Sequence, residues 1–370
     1  MKKTTGVIFS GYGEQFVTMG KNLYDASRDV QDLFEQASMC LDINFVQLCF
    51  ASSDQEISDI QKGYLAILLL QVSLYSQLAQ AGLRPDFIAG FGIGEYAATV
   101  ASGALTFADA LYLLNKYALF FKEFIAQERK FGVLYLSRGF QAAEIEALCE
   151  SLSVDGKQVF VAAHVTEEGF FVAGDSDLVE AIQKYCKDNE IRKVKVLTPA
   201  HGLHSLLTDS VVSLLAPYFF KIDFLPLQYP IITNVDAAYV TSPDALESAI
   251  SRKFNNKILW NEVMQGFVGC DVLICVGPGD QVAQWATLQY PEKTIYTIND
   301  LADLEKIAPF LQEHVQAMPD QIAALPSDTI SFGTCHIDDE LQLPVDLTVA
   351  DEINELPEDY DIDDEDGDEA

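Results

Sequence analysis

A run of alternating glycines, Gly90-Phe91-Gly92-Ile93-Gly94, lies between the short apolar segment Phe87-Ile88-Ala89 and the helix-favouring stretch Tyr96 to Ala101. Few folds accept such a run. Glycine carries no Cβ, so repeated glycines mark places where the backbone turns sharply or passes close to another segment. The apolar segment reads as a buried strand, and the whole stretch predicts strand, tight turn and helix. The first apolar run, Val7-Ile8-Phe9, ends in a similar turn at Ser10-Gly11-Tyr12-Gly13. Helical periodicity is expected over 18–39 and again over 62–80, the latter ending near Gly82 with Pro85 as the stop. Another helix is expected over 107–125, with Thr106 and Asp109 as its capping box. Strands alternating with helices indicate an α/β fold whose parallel sheet is covered on both faces.

Residues 130–197 change rhythm. Expected strands at 133–136, 158–166, 169–174 and 192–197, with helices at 141–152 and 176–189, follow the order β-α-β-β-α-β of a ferredoxin-like unit. The chain then returns to the first pattern, with strands near 229–234, 271–276 and 294–298 and a helix near 300–314. The expectation is a discontinuous large domain, 1–129 and 198–318, an inserted small domain, 130–197, and a tail, 319–370. Prolines and acidic blocks predict that the tail mostly does not pack, although Ile330 and Phe332 are among a few apolar residues able to dock a short stretch on the body.

The net charge of −33 argues against nucleic-acid phosphates or an anionic membrane surface as partners, because like charges repel. Much of it is local: residues 338–370 hold 16 acidic side chains, and no Lys or Arg follows Lys306. Such a run either keeps a chain solvated or binds a basic partner, solvation being the simpler reading. Seven cysteines without a C-x-x-C pair read as reduced, buried thiols. The N-terminus lacks an apolar h-region, and the apolar run Tyr64 to Leu70 is too short to span a bilayer, so a cytoplasmic protein is expected. With only five histidines and no carboxylate near His201 and His204 in sequence, no metal site is expected, and no cofactor.

A strand feeding a G-x-S-x-G turn into a helix is a nucleophile elbow: the turn projects its central side chain clear of the backbone, and the following N–H helps form an oxyanion hole. Here the flanking glycines stand at Gly90 and Gly94, and the centre is Gly92. A dinucleotide-binding loop would want G-x-G-x-x-G with an acidic residue about 20 positions further on, and this stretch is G-x-G-x-G after a strand that is not the first. A purely structural turn is the other reading that the residues alone leave open.

Gly90 to Tyr96, followed by Ala97-Ala98 and by Ser102-Gly103-Ala104-Leu105-Thr106-Phe107, resembles the G-H-S-L-G-E-Y core and next helix start of malonyl-CoA:acyl carrier protein transacylases. Further stretches agree in order and spacing. Phe9-Ser10-Gly11-Tyr12-Gly13-Glu14-Gln15 is similar to the family's F-P-G-Q-G-S-Q loop, Thr198-Pro199-Ala200-His201 to its P-S-H loop, Asn234-Val235-Asp236 to its N-N-V-D turn, and Val276-Gly277-Pro278-Gly279 to its V-G-P-G. The resemblance covers roughly 5–315 and implies an acyltransferase fold, an α/β-hydrolase-like domain with a ferredoxin-like insert. It also implies fatty acid or polyketide synthesis, with an acyl carrier protein, a coenzyme A thioester or a synthase subunit as partner.

In that family an elbow serine attacks the malonyl thioester and a histidine acts as general base. Position by position this chain departs from the pattern. The serine falls on Gly92 and the histidine before it on Phe91; the glutamine of the first loop falls on Tyr12, leaving Tyr12 and the Ile93 N–H at the oxyanion-hole positions. The Q-P pair of the long helix falls on Tyr64-Leu65, and the arginine that holds the malonyl carboxylate on Tyr117. Only the base is retained, as His201 by this resemblance; a packed histidine with a satisfied hydrogen bond is its plainer reading. Glycine has no side-chain oxygen, so no acyl-enzyme can form at Gly92. A neutral phenol cannot replace an arginine clamp, so an acyl group with a free carboxylate loses its anchor. The expectation is a catalytically silent family member. The alternative is an active acyltransferase or thioester hydrolase that uses His201 without a covalent intermediate, a substitute cysteine nucleophile being disfavoured because none lies at the turn.

Overall fold

The computed structural model describes residues 3–126, 130–154, 156–197, 204, 206–317 and 330–336. Along the chain the elements that place the site are β1 (Thr5–Phe9), α1 (Arg28–Leu41), α2 (Ile60–Gln80), β2 (Phe87–Gly90), α3 (Gly94–Ala101), α4 (Phe107–Ala126) and β3 (Phe131–Leu136). Then come α5 (Ala142–Leu152), β4 (Val159–Thr166), β5 (Gly169–Asp175), α6 (Ser176–Asp188), β6 (Val194–Val196), β7 (Ile231–Ile232), β8 (Tyr239–Val240) and β9 (Ile258–Leu259). The last are β10 (Val272–Val276), α7 (Gln281–Gln289), β11 (Thr294–Ile298) and α8 (Leu301–Gln316).

Six strands form one sheet in the order β11-β10-β1-β2-β7-β8. All its pairs are parallel except β7 with β8. Every residue of β1 and of β10 is buried, as the unbroken apolar runs of a doubly covered parallel sheet require. Helix α2 is buried around nearly its whole circumference, which explains why its sequence is apolar on all faces and not amphipathic. The strand expected at 229–234 shrinks to Ile231–Ile232, because the chain turns there into the antiparallel edge pair β7–β8.

The second sheet runs β6-β3-β5-β4-β9. Its first four strands have the ferredoxin-like arrangement that the sequence rhythm predicts, and a core of Leu134, Leu136, Ile145, Phe170, Val172 and Ile182 lies between sheet and helices. The segment 130–197 is not closed on itself, however. The free edge of β4 takes β9 as a parallel partner, with Ala163 opposite Ile258, and pairing there removes an exposed strand edge. Through this strand a single apolar cluster, from Ile8 and Ala89 to Ala163, Ile258 and Trp260, runs between the two sheets.

A short segment, 330–336, packs on the start of α4. The N–H groups of Phe107 and Ala108 donate to the carbonyls of Ser331 and Phe332, at 3.0 and 2.7 Å. These are helix-start donors that would otherwise lack partners. The Phe332 ring meets Phe107 edge-on, and His336 Nε2 lies 2.7 Å from Asp109 Oδ1. The compact unit runs to His336, and among the described residues no helix is long and apolar enough to cross a membrane. The expectation of seven reduced thiols needs correcting. Cys49, Cys149, Cys186, Cys270 and Cys275 are free and buried, but Cys40, in the last turn of α1, is bonded to Cys335 across a sequence separation of 295. Local spacing carries no trace of a pair that distant, which only the docking of 330–336 brings together.

Unfolded without reductant, the chain is expected to expose five reactive thiols and, after reduction, all seven; seven without reductant would remove the bridge. Cys335→Ser should lower stability in urea by about 2–4 kcal/mol while leaving the far-ultraviolet spectrum unchanged.

Candidate active site

The carboxyl ends of β1 and β2, at the centre of the large sheet, open onto the loops where ligands of open α/β sheets bind. Between β2 and α3 the chain makes the turn that the glycine run predicts. A Cβ at Gly90 would overlap the backbone of Gly94, and one at Gly94 would overlap the Ser10 carbonyl. Both flanking glycines are therefore required by close backbone approach. Gly92 differs. Its φ is +54°, in the left-handed region, but a Cβ there would meet only Ile258 Cδ1, at 3.8 Å. A side chain fits at the centre at the cost of backbone strain, on the order of 1–3 kcal/mol.

Three side chains brace the turn. Asn234 accepts from the Gly92 N–H at 3.0 Å and donates to the Gly90 carbonyl at 2.6 Å. Its own N–H donates to Glu95 Oε1 at 2.8 Å. Lys253 Nζ donates to the Gly92 carbonyl at 2.6 Å and lies 3.2 Å from Glu95 Oε2, the two side chains being 0% and 1% exposed. Burial pulls the Lys253 ammonium below its usual range while Glu95 opposes that shift. Sequence reasoning named Asn234 only as part of a turn and missed Lys253, because nothing local marks a lysine that will be buried.

His201 lies outside the described residues, with the rest of 198–203. The histidine that the structure places at the cleft is His204. Its backbone N–H donates to the Phe254 carbonyl, and its Nδ1 lies 2.9 Å from the Lys253 carbonyl. A carbonyl oxygen only accepts, so Nδ1 carries the proton and Nε2 keeps a lone pair. Burial pushes this imidazole down to about 4, and the Lys253 carbonyl counteracts it only in part. His204 is thus neutral near pH 7, the state that a general base needs. The sequence signal that could have found it is a second histidine in the same loop, three residues after His201.

The cleft is a cavity of about 240 Å³ whose lining includes Tyr12, Tyr64, Phe91, Gly92, Ile93 and His204. The Tyr12 hydroxyl donates to the Ser58 carbonyl at 2.6 Å, and burial pushes its phenol up to about 12. The Ile93 N–H, at the start of α3, has no hydrogen-bond partner among the described residues. Phe91 is held edge-on by Trp260 and Trp285, with ring centroids 5.3 and 5.0 Å away. Tyr64 is fully buried, and Tyr117 lies parallel to it 6.4 Å behind. Tyr117 stacks on Phe254 and does not line the cavity, so of the expected substrate-binding positions it alone stands back from the cleft. Among the described residues no serine, threonine or cysteine lines the cavity. The arrangement can offer a proton acceptor and a backbone donor; among the described residues its side-chain hydroxyls are the phenols of Tyr12 and Tyr64, which burial keeps protonated, and it has no thiol.

Lys253→Ala leaves Glu95 buried without its counter-charge and should cost about 3–5 kcal/mol, read as a lowered urea midpoint, whereas Lys253→Met with Glu95→Gln should recover part of the loss. The depressed His204 value carries a pH signature. The unfolded chain takes up the proton first, so stability is full above about 6.5 and falls as pH drops toward about 4. His204→Asn, which tolerates the positive φ of 63°, should flatten that part of the stability profile; an unchanged slope would place the imidazole in solvent.

The acyl transferase domain family model matches residues 7–284. The malonyl CoA-acyl carrier protein transacylase of Bacillus subtilis is 26% identical over 274 residues, which cover 74% of this chain and 86% of that protein. The malonyl CoA-acyl carrier protein transacylase of Coxiella burnetii superposes with a TM-score of 0.79 at 23% identity, covering 84% of this chain and 98% of that one. A malonyl-transacylase solved in complex with its type II PKS acyl-carrier protein gives a TM-score of 0.78 at 24% identity, over 83% and 99% of the two chains. The match spans well over half of the sequence and includes the braced glycine turn, so the chain belongs to the acyl transferase domain family.

Proposed function

We propose that this chain is a transacylase-like protein of fatty acid or polyketide synthesis type that binds an acyl thioester without forming an acyl-enzyme. One observation carries the reading: the elbow keeps its strand, its helix, its flanking glycines and its braces, and the position with room for a nucleophile is Gly92. Loss of a serine nucleophile costs about 10⁶-fold in turnover in a serine protease; among the described residues no serine, threonine or cysteine faces the cavity, and the side-chain oxygens that do are the buried, neutral phenols of Tyr12 and Tyr64 and the Glu14 carboxylate, which accepts from the Gln281 N–H. The partner of the complexed neighbour supports an acyl carrier protein as the bearer of the thioester, with a coenzyme A thioester as the other source. On this reading the protein serves as a binding subunit beside a synthase.

A second reading is favoured by the neutral His204 with its free acceptor nitrogen. Held beside the empty elbow, such an imidazole can take a proton from water or from an incoming thiol, giving a hydrolase or a direct acyl transfer with no covalent step on the protein. His201, in the same loop, is the other candidate for this role.

Incubated with radiolabelled malonyl-CoA, the purified full chain is expected to retain no covalent label, and a hydroxylamine-sensitive adduct would end the first reading. Turnover measured for the native chain, His204→Ala and His201→Ala separates the two. Equal, near-zero rates favour the silent protein, whereas a loss confined to one variant identifies the working base.

A further inference from the structure

We infer that the cleft is shaped for a short, uncharged acyl chain and against one ending in a carboxylate. The inference rests on the reading of this cleft as an acyl-thioester site and narrows what that thioester carries.

The walls are aromatic and aliphatic. Phe91 stands between Trp260, Trp285 and Phe171, whose ring is 6.0 Å from it, and Tyr135 stacks on Phe171 to continue the surface. Beside Phe171 on the same sheet, β4 contributes Ala163 and β9 contributes Ile258, the residue nearest the open position above Gly92. Rings and small side chains together leave a slot of about 240 Å³, below the roughly 300–1,000 Å³ usual for larger ligands. That size suits a chain of a few carbons.

Charge decides the rest. A carboxylate taken into such a slot loses its hydration and needs a cation or several donors in return. Among the described residues two lysines come near. Lys253 is buried under the turn, does not line the cavity, and is already engaged by the Gly92 carbonyl and Glu95. Lys195 lines the rim on β6 but is exposed, where water and salt screen it. The phenols of Tyr12 and Tyr64 are kept neutral by burial. The one acid among the described lining residues, Glu14, accepts from the Gln281 N–H at 2.9 Å at the start of α7, so its charge would oppose a second carboxylate. A hydrocarbon chain meets none of these penalties and gains from contact with the rings.

The chain has two tryptophans, and both pack on Phe91, so intrinsic fluorescence reports occupancy of the cleft directly. The full-length protein would be titrated with butyryl-CoA, malonyl-CoA and free coenzyme A, with isothermal calorimetry as a second readout. Butyryl-CoA is expected to bind at least about ten-fold more tightly than malonyl-CoA, since only the latter must bury an unpaired charge, and malonyl-CoA no more tightly than coenzyme A. Repeating the titration with butyryl-loaded and malonyl-loaded carrier protein shows which bearer is used, and the same preference is expected on either. Phe171→Lys, which sets an ammonium into the partly exposed wall, should narrow or reverse the preference. Equal or tighter malonyl binding by the native chain, or a preference untouched by Phe171→Lys, overturns the inference and leaves the thioester-binding reading standing. Acyl thioesters that bind no better than coenzyme A or unloaded carrier protein remove both.

Discussion

Lys253 carries its ammonium at 0% exposure, and the turn between β2 and α3 is built around it. An ammonium in the interior must be surrounded by acceptors, and the two it finds are the Gly92 carbonyl and the Glu95 carboxylate. Meeting that need ties the middle of the glycine turn to the start of α3. Glu95 in turn holds the Asn234 N–H, and the Asn234 side chain spans the turn from the Gly92 N–H to the Gly90 carbonyl. The carbonyl of Lys253 itself orients His204. One residue thus couples the elbow, the helix start and the cleft imidazole, which lie on segments far apart in sequence.

The same geometry separates scaffold from chemistry. Gly90 and Gly94 are glycines because backbone occupies the space where a Cβ would go, whereas Gly92 is a glycine where a side chain has room. Close backbone contact accounts for the first two, whereas at the third only the positive φ favours glycine. On the proposed reading, a turn kept intact around a position without a reactive atom belongs to a cleft that still binds. The apolar lining formed by Phe91, Phe171 and Ile258, with Lys253 committed and Lys195 solvated among the described residues, is consistent with that proposal.

Legibility in the sequence followed the range of the interactions. The strand–turn–helix at Gly90–Gly94 was readable because close backbone approach demands glycine wherever it occurs, and the Thr106–Asp109 cap because its hydrogen bond spans three residues. The small sheet's first four strands were readable from alternation, but β9 was not, since two residues, Ile258 and Leu259, are too few to show a period. The place of Tyr117 behind Tyr64 was equally hidden, for a helix period says which face is buried and not which layer a ring reaches.

By itself the amino-acid sequence determined that this chain builds an α/β acyltransferase fold and that its elbow carries no hydroxyl, because turn glycines, apolar periods and the identity of one residue are local properties. Tertiary structure alone decided that Lys253 is buried under the turn, that His204 lines the cleft as a neutral imidazole, that Cys40 meets Cys335, and that the one lysine among the described residues of the lining, Lys195, is exposed. The first three of those outcomes depend on groups tens to hundreds of residues apart sharing one low-dielectric space. Desolvation and pairing there are set by packing, which leaves no mark on short-range sequence.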